Sequence, residues 1–125
     1  MKIFAAWLAL AILPAGHLLA QQTEGKAQYV YVLRVAQQFQ QEAAWTDAEN
    51  EVVARHFARL SEAAKSGKLI LAGRTTEPLD QTFGIVIFEA ESAAAATEFM
   101  RSDPAVVAGL MTATLHPYAV ALQRE

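Results

Sequence analysis

An α+β domain with the element order β-α-β-β-α-β is predicted by three features of the 125-residue sequence. Two runs, residues 28–35 (QYVYVLRV) and 83–89 (FGIVIFE), are apolar on both alternating faces, the pattern of central strands covered on each side. Thr46 and Glu49 form a T-x-x-E capping box ahead of a stripe at helical spacing that stops at Gly67. Pro117 lacks an amide donor and sits inside the last strand-like run, which places that strand at a sheet edge.

The elements follow in order. Residues 28–35 make the first strand, with Tyr29, Tyr31, Leu33 and Val35 on one face and Val30, Val32 and Arg34 on the other. A glutamine-rich connector, 36–45, leads to the first helix, whose core stripe is read as Val53, Phe57, Leu60 and Ala64. Residues 68–72 (KLILA) form a short strand ending at Gly73, and a polar loop, 74–82, carries the chain into the strand 83–89. Ser92 caps a second helix carrying Ala95, Ala96, Phe99 and Met100. Asp103-Pro104 has the form of an N-cap followed by a proline at the first helical position, opening a short turn to Gly109. The last strand spans about residues 112–122. Two central strands and an edge strand four are satisfied together by a ferredoxin-like antiparallel sheet in the order 4-1-3-2, with the helices on one face. The apolar residues of the other face then call for a partner, and a second copy of the chain, pairing sheet to sheet, is the simplest one.

The apolar fraction of 54% is unevenly spread. In residues 1–20, 16 of 20 are apolar, against 51 of 105 thereafter. Lys2, the 11-residue run from Ile3 to Leu13, the break at Pro14 and Gly16, and Ala20 before Gln21 read as a cleavable secretory signal. The run is too short for a membrane-spanning helix, which needs roughly 20 residues. The expected organisation is therefore a signal peptide at 1–20, a flexible tail at 21–27 and one domain at 28–125. The product would be secreted across the inner membrane into the periplasm, with no stable anchor after cleavage. Without the leader, nine basic groups face 13 acidic ones, giving −4, which leaves no electrostatic footprint for nucleic acid. The absence of cysteine excludes a catalytic thiol, a disulfide framework and cysteine-held metal centres. The histidines show no metal-ligand spacing, and no dinucleotide or phosphate-loop motif occurs, so neither a metal nor a cofactor is expected.

With that layout, several segments together resemble the YciI-like (YCII-related) family. They are His56-Phe57-Ala58-Arg59-Leu60, the run Gly67-Lys68-Leu69-Ile70-Leu71-Ala72-Gly73, Phe88-Glu89-Ala90-Glu91-Ser92 with Ala95 and Phe99, Ser102-Asp103-Pro104, and Pro117-Tyr118. The resemblance implies a dimeric α/β barrel, ferredoxin-like subunits paired through their sheets. It also implies a histidine–aspartate pair, here His56 and Asp103, as the catalytic element, with small aromatic ring compounds among the substrates of a few relatives. An export segment and a short 74–82 loop depart from the family pattern.

The residues themselves leave alternatives open. His56 lies about 100° from Phe57, at the border of the core stripe, where an imidazole serves either as a general base facing a pocket or as packing against the sheet. Asp103 is a helix cap, and a cap held rigidly could also orient an imidazole. Arg34, at the end of a central strand, is a candidate for holding an anionic or phenolate ligand group, or else a strand-end arginine. Tyr31, with Tyr29 and Tyr118, lines either an aromatic pocket or a dimer interface. His116 reads as a solvated side chain. The expectation is a homodimeric, cofactor-independent acid–base enzyme of isomerase or lyase type, acting on a small organic molecule, aromatic compounds included. A pair without a nucleophile of its own suits proton abstraction, isomerisation or elimination better than acyl transfer. The alternative is a non-catalytic periplasmic protein, binding a small ligand or serving as a structural dimer; a dimeric-barrel monooxygenase is a third reading that no residue demands.

Overall fold

The computed structural model of the protein describes residues 25–125; the expected signal segment lies outside them. The chain runs through β1 (Ala27–Val35), α1 (Asp47–Lys65), β2 (Leu69–Arg74), β3 (Phe83–Ala90), α2 (Ala93–Arg101), the one-turn α3 (Pro104–Val107) and β4 (Met111–Tyr118). The strands form one antiparallel sheet in the order β2-β3-β1-β4, which is the expected 4-1-3-2 read from the other edge. This is an α+β fold of ferredoxin-like arrangement, with the two strands that are apolar on both faces at its centre and Pro117 on an edge strand.

Small differences in element ends have simple causes. Ala27 belongs to β1 rather than to the tail, because it pairs with Ala90. β4 stops at Tyr118 rather than Leu122: Tyr118 pairs with Gln28, the second residue of β1, which leaves only Ala27 of β1 beyond that pair. The Gln28 side chain then accepts a hydrogen bond from the Val120 amide at 2.8 Å, tying the chain end to the sheet. In the connector, two 3-10 turns, Gln37–Phe39 and Glu42–Ala44, bring the Trp45 indole N–H to the Phe39 carbonyl at 2.6 Å.

Helix α1 starts as the sequence dictates. Thr46 accepts from the Ala48 amide, and Glu49 accepts from the Thr46 amide at 2.8 Å. Gly67 adopts φ +83°, the left-handed conformation that glycine enters without a Cβ penalty, and releases the chain into β2. The core stripe of α1 is rotated from the expected one. Leu60 and Ala63 are buried and His56 nearly so, whereas Phe57 is 70% exposed and Ala64 is also exposed. Residues 56, 60 and 63 share one face at helical spacing, so the apolar side chains one position further round face a hollow instead of the sheet.

The core lies on the helix side of the sheet. Tyr29, Tyr31 and Leu33 of β1 pack with Val86 and Phe88 of β3, Leu60 of α1 and Ala96 of α2. Phe88 is central, with ring centroids 4.7 Å from Phe99 and 5.6 Å from Tyr31, an aromatic arrangement that adds to simple area burial. The pleat sends Val32, Arg34, Phe83, Ile85 and Leu71 to the opposite face, where no helix packs among the described residues. Leu71 is 50% exposed there.

Candidate functional site

Three elements converge behind the buried edge of α1. His56 projects from α1 on the same face as Leu60 and Ala63. Tyr31 stands on central β1 and is fully buried. Asp103 occupies the single junction residue between the Ser102 end of α2 and Pro104 of α3. The local sequence dictates its conformation. Proline restricts the residue before it to extended geometry, and Asp103 has φ −59° and ψ 126°. From there its carboxylate turns back to accept the Ala105 amide at 2.9 Å, the N-cap bond of α3.

The same carboxylate, 0% exposed, binds two side chains. His56 Nδ1 lies 2.7 Å from Oδ1 and 2.9 Å from Oδ2, and the Tyr31 hydroxyl donates to Oδ2 at 2.7 Å. Asp103 is therefore both a helix cap and the partner of the histidine. Burial alone would disfavour ionisation of its carboxyl and raise its pKa; hydrogen bonds from His56, Tyr31 and the Ala105 amide, with the attraction of His56, more than offset it and hold the carboxyl below its usual value. Tyr31 moves the other way, since burial and then the neighbouring carboxylate push its phenol up, while Arg59 partly opposes them. Tyr31 thus stays a donor. An ionised carboxylate only accepts, so the proton on the neutral imidazole sits on Nδ1 and the lone pair on Nε2.

Nε2 points to a different environment. It has no hydrogen-bond partner among the described residues and is not buried, while the His56 side chain as a whole is only 14% exposed. His56 lines a cavity of about 600 Å³ between α1, the sheet and the loop after β2, a volume within the range of small-molecule sites. Its walls are mostly apolar: Leu33 and Val86 from the sheet, Val53, Phe57 and Leu60 from α1, with Trp45 and Leu79 from the flanking loops. Gly84 forms part of the floor, where a Cβ would meet the Gly73 carbonyl at 3.4 Å and Leu33 Cβ at 3.6 Å.

The structure brings His56 and Asp103 into direct contact and adds Tyr31 to them, though not at the cavity wall. Tyr31 reaches the site from behind, through the carboxylate, because its fully buried side chain belongs to the core face of β1. Arg34 is not brought to the site. It follows Leu33 and so lies on the other face of the sheet, exposed, with its guanidinium 5.4 Å from the Phe83 ring centroid. Tyr29 is a core residue, and His116 and Tyr118 are exposed on β4. Two cavity residues escaped the sequence reading. Phe57 reads from sequence as part of the core stripe, and Arg74 as a loop residue, although Arg74 ends β2 opposite Gly84 and both line the cavity. The strand-like run continuing past Gly73 was the available signal for Arg74. Among the described residues, no cluster of histidine and acidic side chains could hold a metal ion, and no helix is long and apolar enough to cross a membrane.

No curated protein matches the chain. The YCII-related domain family does match, over residues 27–115, a span that starts at β1, takes in His56, Asp103 and Tyr31, and ends within β4. By that match the chain belongs to the YCII-related domain family.

Proposed function

We propose that this protein is a cofactor-independent acid–base enzyme of isomerase or lyase type, with His56 as the base that meets a small organic substrate. The observation that carries this reading is the division of the imidazole between two environments. Nδ1 is held by a buried carboxylate, while the ring lines an apolar cavity and Nε2 has no hydrogen-bond partner among the described residues. A neutral imidazole in that tautomer accepts a proton at Nε2, and Asp103 stabilises the imidazolium that results, as in the histidine–aspartate half of a catalytic triad. Asp103 and Tyr31 act as positioning residues. The apolar walls favour a substrate with a flat or branched hydrocarbon body, aromatic rings included.

The test is proton exchange. In D₂O, with a panel of small phenols, enones and 2-oxo compounds, the protein is expected to speed carbon–hydrogen exchange of at least one of them, read by NMR. His56→Gln should slow that exchange by about 10²–10⁴-fold, the usual contribution of a general base. Equal exchange by the wild type and His56→Gln would remove the catalytic reading. A non-catalytic binding role is the second reading, favoured by the preponderance of apolar over polar groups in the cavity. It requires His56→Gln to bind ligand as the wild type does, with no exchange by either.

The proposal extends to assembly and location. The helix-free face bearing Val32, Ile85 and Leu71 suits sheet-to-sheet pairing of two copies. Sedimentation should then report a dimer, and a Leu71→Glu variant should sediment as a monomer. Residues 1–20 are proposed as an export signal, and mass spectrometry of the secreted product should find them missing.

A further inference from the structure

We infer that the cavity takes a small organic anion, an apolar body bearing a carboxylate or phenolate, and that Arg74 holds its charge. The inference rests on the reading of the cavity as the site, and adds the class of ligand. Only two of its lining residues are titratable or charged, His56 and Arg74. Most other polar lining groups are already engaged: the Thr82 hydroxyl donates to the Thr75 carbonyl at 2.7 Å, and the Trp45 indole N–H to Phe39. Arg74 has no carboxylate within ion-pair distance among the described residues, although Glu77 and Asp80 lie in the same loop. No acidic side chain lines the cavity.

The consequence is a hollow with one permanent cation at its rim, one imidazole inside whose carboxylate partner lies behind it, and no acidic side chain in its lining to offset Arg74. A neutral apolar ligand would gain from the walls alone. A cationic one would meet Arg74 unfavourably. An anion gains a charge-assisted, two-pronged guanidinium contact while its body displaces water from Leu33, Val53 and Phe57. Arg74 is exposed and ends β2, so it borders both the cavity and a second depression of about 270 Å³ formed with Thr75, Phe83 and Ile85. That position lets the guanidinium meet the charged end of a ligand without being drawn into the apolar interior. Arg34, the other arginine near this end of the sheet, faces away and takes no part.

Matched pairs of probes test this: benzoate, phenylacetate and 2-naphthoate against their neutral amides, and 2-naphthol across its ionisation, titrated calorimetrically into the full chain. At least one acid should bind about tenfold more tightly than its amide, in line with a hydrogen bond to a charged group. Arg74→Gln should abolish that preference and leave amide affinity unchanged, and Arg34→Gln should alter neither. Because the cation is exposed, added salt should weaken the acid and spare the amide. Acids and naphtholate that all bind no better than their neutral counterparts, or an equal loss of charged and neutral probes in Arg74→Gln, would overturn the inference. Preference confined to the naphtholate would identify phenolates as the class. His56→Gln separates the two proposals: it should retain the preference for the acid even if proton exchange is never observed.

Discussion

The two sides of His56 are built on opposite principles. Behind the ring, a carboxylate without solvent exposure is matched by the imidazole, a phenol and a backbone amide. In front of it, a 600 Å³ hollow leaves Nε2 without a partner and Phe57 largely exposed. A buried charge is tolerable only when its acceptor sites are filled, so the rear cluster is bound up with stability. An apolar hollow contributes little to folding, because its lining has forgone contact on one side. Stability and the proposed ligand recognition therefore fall to different neighbours of one side chain, and substitutions should separate them.

The largest effect is expected at the rear. Asp103→Ala strips the partner from the imidazole, the phenol and the Ala105 amide together, and should cost about 3–5 kcal/mol in denaturant unfolding, as when one member of a buried pair is removed. The wild type should show the related loss with acid. Its carboxyl ionises more readily folded than unfolded, so the stabilisation is present above the unfolded value of 3.8 and is lost as pH falls through the lower folded one. Asp103→Asn should flatten that acid limb of the stability curve.

Tyr31→Phe keeps the ring and removes one donor to the carboxylate; a loss of about 1.5–3 kcal/mol is expected, the worth of a hydrogen bond to a charged group. Here the pH dependence has the opposite sense. The phenol is harder to ionise folded than unfolded, so stability should decline above pH 10.0, and Tyr31→Phe should lessen that decline. The smallest change in stability belongs to the front. Phe57→Ala should alter unfolding by no more than about 0.5 kcal/mol, as an exposed position does, yet weaken binding of any ligand that fills the cavity. A large destabilisation by Phe57→Ala would erase the contrast between the two sides.

How much of this was legible in the sequence follows the same division. The sheet order could be read because Val30, Val32, Ile85 and Ile87 mark strands with two apolar faces, and Pro117 marks an edge. The start and stop of α1 were written in Thr46, Glu49 and Gly67, whose signals act within one turn. The rotation of α1 was not legible. Phe57 and His56 are one residue apart, and local periodicity cannot distinguish an apolar wall facing a hollow from one facing a core. The pairing of His56 with Asp103 came from family resemblance, because nothing in the spacing of residues 47 positions apart measures their separation in space. Tyr31 reads from sequence as lining a pocket or an interface, and its bond to Asp103 depends on a long-range meeting of β1 with the α2–α3 junction. Arg34 and Arg74 exchange prominence for a similar reason: Arg74 ends β2 and Arg34 lies one residue from the end of β1, and the pleat alone decides which face each serves.

The double attachment of Asp103 bears on how relatives of this chain should be compared. Under the proposed function, a lineage that lost the proton chemistry would still need a residue at this junction to cap α3 and to satisfy the buried tyrosine. Persistence of the aspartate therefore records inheritance of the fold. The histidine caps no helix, but it pairs with that buried carboxylate, so under the proposed function a replacement that keeps a donor to Asp103, such as glutamine or asparagine, would mark a descendant that has ceased to move protons at the least cost to the fold.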